Sequence, residues 1–164
     1  MAVKKKDRHV SRREALGKSR ELVNYLLILT RPREFDKDGK QVQKPGLLGE
    51  GQPLQAFGYD LLRCGKTIHA ACYQASEIYL KDKKSLDQRN RYHQQAIECC
   101  DSIFRQIDLC IYQYARNNKD KRRSFEHLSR LTKIAKDSVK DRINRDKLIF
   151  ENKYVAPKIR RRGR

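Results

Sequence analysis

The sequence predicts an all-α protein, an antiparallel up-down-up-down four-helix bundle with a basic N-terminal arm and a basic C-terminal tail. Apolar residues recur at alternating spacings of three and four in separate stretches, as in helices that bury one face against their neighbours. Hydrophobic residues make up 38% of the 164 residues and charged residues 36%, which suits one helical core with the charge outside it. No apolar run approaches the roughly 18 residues of a membrane span, so no membrane partner is expected.

The first helix is predicted to begin near Ser11 or Ser19 and to end at Thr30. Pro32 ends it, because the residue before a proline is displaced from the helical conformation. The residues before this helix are polar and basic without periodicity, which predicts a basic arm over 1–18. The N-terminal residues also lack the apolar segment of a signal peptide, so a cytoplasmic location is expected.

A long connection, 31–53, is predicted between the first two helices. Asp38-Gly39 is a turn dipeptide, and Phe35 and Val42 on either side of it predict a small hairpin. Connections in bundles usually have about 2–8 residues, so this one is either a surface insertion or a functional loop that contacts a partner. The sequence leaves both interpretations open.

The second helix is predicted to start at Pro53, a residue that suits the first helical position. Its apolar line is Leu54, Phe57, Leu61, Cys64, Ile68, Ala71, Ala75 and Ile78. Gly58 and Gly65 lie beside this line, and each costs about 1 kcal/mol relative to alanine inside a helix. Their presence predicts a close approach of a neighbouring helix.

The third helix is predicted from Tyr92 to Tyr114, after a polar stretch at 81–87. Its apolar line is Ile97, Cys100, Phe104, Ile107, Ile111 and Tyr114, and Ala96, Ile103 and Cys110 recur beside it. A helix this apolar on one side is predicted to lie in the core.

The fourth helix is predicted to begin near Ser124, a suitable N-cap, and to reach about Phe150. Its apolar positions are Phe125, Leu128, Leu131, Ala135, Val139 and Ile143. Pro157 prevents its continuation, so 19–150 is assigned to the bundle and 151–164 to a basic tail.

The positive charge of the chain lies mainly in the N-terminal arm, the last helix and the C-terminal tail. The formal net charge is +19, and residues 116–147 alone hold twelve Lys or Arg residues against five acids. An excess of this size predicts a polyanionic partner, RNA or DNA, because each neutralised phosphate releases counterions. The alternatives are a solvated charged face and attraction to an acidic membrane surface. The candidate nucleic-acid-binding residues are Lys121, Arg122, Arg123, Arg130, Lys133, Lys136, Lys140, Arg142, Arg145, Lys147, Arg160, Arg161 and Arg162.

Catalytic and metal-binding patterns are absent from the sequence, so no enzyme activity and no cofactor are expected. No phosphate-binding glycine loop and no nucleophile or zinc-protease motif occurs. Glu98, Asp101 and Asp108 have helical spacing and allow a nuclease hypothesis, but such charges are common beside the seam of a packed helix. The five cysteines fall mostly on apolar stripes, which predicts reduced thiols packed as small hydrophobic groups.

Three tyrosines lie away from the apolar lines. Tyr73, Tyr79 and Tyr112 either pack at the margins of the bundle, contact a second subunit, or stack on nucleic-acid bases.

The helix order, helix lengths and charge together resemble a known family. A first helix ends in 25–30 and Arg31-Pro32-Arg33, a second covers 54–79, a third covers 96–114, and a basic fourth follows the loop 117–123. This pattern is similar to the four-helix-bundle proteins that include the accessory variability determinant of diversity-generating retroelements. The same family includes proteins encoded in intervening sequences of ribosomal RNA genes.

The resemblance implies a non-enzymatic homo-oligomer, a pentamer, with a basic surface. It implies RNA or an RNA–DNA duplex as ligand and a reverse transcriptase as partner, in a complex that makes mutagenic cDNA. The alternative within the same family is an RNA-binding bundle associated with ribosomal RNA that has no polymerase partner.

Overall fold

Four α-helices account for most of the chain in the computed structural model, which describes residues 5–30, 33–35, 37–43, 46–48 and 52–155. The helices are α1 (Lys5–Thr30), α2 (Gln52–Glu77), α3 (Lys83–Cys110) and α4 (Lys119–Phe150). α1 and α3 each pack against both α2 and α4, so the helices surround one core. The prediction of four helices in a helical bundle is therefore confirmed.

α1 begins earlier than predicted. It starts at Lys5, so much of the stretch assigned to the arm of 1–18 is helical, and residues 1–4 lie outside the described part. Lys and Arg are good helix formers, which explains how a basic stretch without apolar periodicity continues the helix. The buried side of α1 is formed by Ala15, Ser19, Leu22, Leu26 and Leu29.

The predicted hairpin is present in the connection between α1 and α2. Strand β1 (Arg33–Phe35) pairs antiparallel with β2 (Gln41–Gln43), and Gly39 adopts φ 75°, a conformation that favours glycine. Further along the connection, the Leu48 N–H donates to the Leu29 carbonyl over 3.0 Å, and the Leu48 side chain is buried. The last part of the connection is thus attached to the core.

Two glycines of α2 lie where another segment approaches closely, as predicted. A methyl carbon added to Gly65 would lie 2.5 Å from Leu26 Cδ1 of α1. One added to Gly58 would lie 3.0 Å from Leu48 Cβ. The missing side chains let α1 and the connection pack directly on the α2 backbone, which compensates for the low helix propensity of glycine.

α3 begins at Lys83 rather than at Tyr92, because Asp82 caps it. The Ser85 N–H donates to Asp82 Oδ1 over 2.7 Å, and the Asp82 N–H donates to the Ser85 hydroxyl oxygen over 3.0 Å, which completes a capping box. The Ser85 hydrogen bonds hold the pKa of Asp82 below its usual value. The polar stretch expected to lie between helices is therefore largely the first turns of α3.

The buried face of α3 differs from the predicted line. It consists of Arg89, His93, Ala96, Cys100, Ile103, Ile107 and Cys110, preceded by Ser85 and Leu86. Phe104, Ile111 and Tyr114, which were predicted to be core residues, are only partly buried. The residues predicted to flank the seam, including Ile103, are its centre.

α4 begins at Lys119, before the predicted Ser124, and Asn118 caps it by accepting a hydrogen bond from the Lys121 N–H over 3.0 Å. Its buried face consists of Phe125, Leu128, Thr132, Ala135, Val139, Arg142 and Asp146. Leu131 and Ile143, which were predicted for the apolar line, are only partly buried. Both α3 and α4 end in π-helical turns, at Ile111–Ala115 and Glu151–Val155.

All five cysteines are free thiols. Burial raises the pKa of Cys72 to about 11, of Cys100 to about 12 and of Cys110 to about 11, so these thiols stay protonated and pack as small apolar groups. In the described residues, no three His, Cys, Asp or Glu side chains come together as a metal site would require. None of the helices in these ranges combines the length and apolarity needed to cross a lipid bilayer.

Candidate nucleic-acid interface

The helices differ sharply in charge. α2 carries two acids and two Lys or Arg residues, and α3 carries four acids and five. α1 carries three acids and seven Lys or Arg residues, and α4 carries five acids and eleven, the largest excess of the four helices. The candidate interface is therefore the surface of α4.

Five of the predicted site residues are exposed cations of α4 that lack an ion-pair partner among the described residues. In the part of the chain that the structure describes, none of them forms an ion pair; they are Arg130, Lys133, Lys140, Arg145 and Lys147. Lys133, Lys140 and Lys147 recur every seven residues, nearly two helical turns, and therefore lie along one side of α4. We call these three residues the lysine row.

Arg122 and Arg123, near the start of α4, are exposed but paired within the helix. Arg122 Nε lies 2.9 Å from Glu126 Oε1, and Arg123 Nη1 lies 3.9 Å from Asp120 Oδ1. Surface pairs of this kind contribute about 0–1 kcal/mol, so a phosphate can replace the carboxylate at little cost. Lys121, also a predicted site residue, is partly buried.

Lys136 does not belong to the open surface as predicted. Its ammonium pairs with Asp101 of α3, the side chain is mostly buried, and Nζ lies 6.0 Å from the centre of the Phe104 ring. The pair joins α3 to α4, which explains the position of a lysine beside the core. Asp101, one of the three carboxylates of the nuclease hypothesis, is the partner.

Arg142 also lies inside the bundle, which contradicts its assignment to the interface. Arg142 Nη2 is 2.7 Å from Asp146 Oδ1, and the Asp146 side chain is completely buried. On the other side of this carboxylate, Asp146 Oδ2 is 3.2 Å from Arg89 Nε and 3.6 Å from His93 Nε2, both of α3. We call Arg89, His93, Arg142 and Asp146 the charged core cluster.

The charged core cluster ties three helices together. Arg89 Nε also donates to the Ala75 carbonyl of α2 over 3.0 Å. The contacts of Asp146 are close ion pairs without the alignment of hydrogen bonds. Because the cluster is buried, it fixes α4 against α3 and takes no part in a surface contact.

The last three predicted site residues, Arg160, Arg161 and Arg162, lie outside the described residues. Of the other ten, the structure places the lysine row, Arg130 and Arg145 together on exposed α4. It separates Arg142 and Lys136 from them.

In comparisons with protein-family models, with curated proteins and with solved structures, nothing matches this chain. The resemblance to the retroelement accessory proteins therefore stays a prediction.

Proposed function

We propose that the protein is a non-enzymatic, oligomeric accessory protein that binds nucleic acid along α4. The observation that carries this proposal is the set of exposed cations on α4 without carboxylate partners, centred on the lysine row. A row of ammonium groups along one side of a helix matches the regular charge of a phosphate backbone. α2 and α3 are nearly neutral and serve as the scaffold together with α1, whose excess of Lys and Arg is smaller than that of α4.

The resemblance in sequence pattern supplies the identity of the ligand and partner in this proposal. The ligand is RNA or an RNA–DNA duplex, and the protein partner is a reverse transcriptase. Oligomerisation is supported by apolar side chains on the outside of the bundle, such as Ile28 of α1 and Leu109 of α3. A homopentamer is the form that the family resemblance implies.

An antiparallel up-down-up-down order is part of the same proposal. It is supported by the order of contacts between α1 and α2, in which Leu26 lies against Gly65 and the earlier residue Ser19 bonds to the later residue His69. Between α3 and α4, Asp101 pairs with Lys136, and residues earlier in α3 meet Asp146. The lysine row covers about 21 Å along the outer side of the C-terminal half of α4.

The proposal is tested by removing the lysine row. We expect the Lys133→Ala, Lys140→Ala, Lys147→Ala triple variant to keep its helical circular dichroism and to bind RNA roughly 50-fold more weakly at about 150 mM salt. That factor follows from three lost phosphate contacts, each of which contributes about 0.7 to the slope of log affinity against log salt for single strands. The two proteins are taken to bind equally at about 1 M salt, where charge contacts are screened. Fluorescence anisotropy of a labelled RNA measures the Kd.

The matched control removes the same charge from the scaffold. Lys66 of α2 and Arg91 and Arg105 of α3 are exposed, and the triple alanine variant at these positions should bind within about threefold of the native protein. Equal losses in the two variants would show that only net charge matters, and an unchanged affinity in the lysine-row variant would contradict the proposal.

A further inference from the structure

Two tyrosines and a lysine form an exposed group where α4 ends. Tyr79 lies in the connection between α2 and α3, and Lys153 and Tyr154 lie in the π-helical turns that continue α4. Lys153 Nζ is 5.5 Å from the centre of the Tyr79 ring and 5.1 Å from that of Tyr154. We call Tyr79, Lys153 and Tyr154 the tyrosine platform.

Tyr154 attaches the platform to the bundle. The Tyr154 hydroxyl donates to the Leu80 carbonyl over 2.9 Å, and the Tyr154 ring lies 5.3 Å from that of Phe150. Leu80 itself is buried. The Tyr154 ring is therefore held in place before any ligand arrives, which lowers the entropy cost of binding beside it.

The open side of the platform is Tyr79, which is 68% exposed although it is a large aromatic residue. Lys153 is also exposed, and hydrogen bonds with the two tyrosines raise its pKa, so it stays charged. A flat ring with a permanent positive charge beside it offers two different contacts at one place: an aromatic face and a cation.

Charged groups of both signs lie near the platform in the chain. The connection and the first turn of α3 contribute the exposed residues Lys81, Lys83 and Lys84. The acids nearby in the chain are Glu77, Asp82, Asp87 and Glu151, of which Asp82 is engaged as the cap of α3. The lysine row ends at Lys147, on the same end of α4 that leads into Lys153.

We propose that the platform binds single-stranded nucleic acid, with one base stacked on Tyr79 and phosphates held by Lys153 and the lysine row. The inference rests on the proposed function and adds the kind of strand that is bound. Bases in a duplex are stacked on each other and cannot reach a protein ring, whereas an unpaired base presents its whole face. Exposed aromatic rings combined with cations that contact the backbone are what single-strand-binding proteins use.

The absence of tryptophan from the chain makes the contact directly observable. In a Tyr79→Trp variant the new indole is the only tryptophan, and we expect a single-stranded RNA of about 20 nucleotides to quench its fluorescence because a base stacks on it. A Tyr73→Trp variant is the matched control, since Tyr73 is 53% exposed on α2, and in the described residues no cation lies over its ring. Its fluorescence should stay unchanged.

Affinity measurements complete the test. We expect Tyr79→Ala to weaken binding of the single strand about 5- to 100-fold, the range for one lost stacked base, and to leave binding of a duplex of the same sequence within twofold. Tyr79→Phe keeps an aromatic face and should retain most of the affinity. An equal loss for single strand and duplex, or no loss for either, would overturn the inference.

The two proposals fail in different ways. If the lysine-row variant loses affinity while Tyr79→Ala does not, the inference about single strands is wrong and the proposed function stands. If the native protein binds neither RNA form at about 50 mM salt, where charge contacts are strong, the proposed function itself is wrong and this inference falls with it.

Discussion

The Asp146→Ala variant is expected to lose about 3–5 kcal/mol of unfolding free energy, the cost of removing one partner from a buried ion pair. Asp146 is 0% exposed and lies between Arg142 of its own helix and Arg89 of α3. Without the carboxylate, two buried guanidinium groups lose the anion that they share. Denaturation by urea, followed by circular dichroism, measures the change.

The control for this prediction is on the same helix. Asp137 and Asp141 are exposed, and alanine at either position should change the unfolding free energy by about 0.5 kcal/mol or less. Asp146→Asn keeps the shape and removes the charge, so it should lose most of the same free energy. A cost under about 1 kcal/mol for Asp146→Ala would mean that the cluster is solvated rather than buried.

The second large effect is expected for Phe125→Ala, at about 3–5 kcal/mol. Phe125 is 0% exposed and is among the largest fully buried side chains of the described residues, so its removal leaves a cavity in the core near the start of α4. The same urea denaturation measures this loss.

Phe104 provides the comparison that makes the Phe125 result informative. It was predicted to be a core residue, but the structure places it at the margin of the core, beside Lys136. Phe104→Ala should therefore cost clearly less, under about 2 kcal/mol, because an incompletely buried ring gives up less transfer free energy. A larger loss for Phe104 than for Phe125 would show that the buried face of α3 has been assigned wrongly.

The seam of α4 shows why helices were easier to predict than their buried faces. The buried positions Phe125, Leu128, Thr132, Ala135, Val139, Arg142 and Asp146 keep the spacings of three and four throughout. Hydrophobicity alone favours Leu131 over Thr132 and Ile143 over Arg142. The signal was present in the spacing, but buried charges are rare enough that hydrophobicity was the stronger guide.

The predicted face of α3 differs from the observed one for the same reason. Arg89 and His93 precede Ala96 and Cys100 at heptad spacing, so the polar residues continue the true seam. The larger apolar residues, such as Phe104, lie at the edge of the buried face, so a prediction from hydrophobicity is centred on the wrong side of it. The partners that make Arg89 tolerable inside the core come from other helices, and a single sequence does not show them.

The hairpin and the glycine contacts could be predicted because each depends on local rules. The Asp38-Gly39 dipeptide favours a turn between the two strands. Gly65 lowers helix propensity, so its presence inside a helix indicates close packing. The charge of α4 was also evident from the sequence. Which of its cations are open was not, because the partner of Lys136 is far away in the chain, at Asp101.

The salt dependence of RNA binding by the native protein tests the central claim most directly. If Arg130, Lys133, Lys140, Arg145 and Lys147 contact phosphates, log affinity should fall linearly with log salt between about 50 and 200 mM. For a single strand the slope should be about −3.5 or steeper. A slope near zero would contradict the claim that these cations form the binding surface.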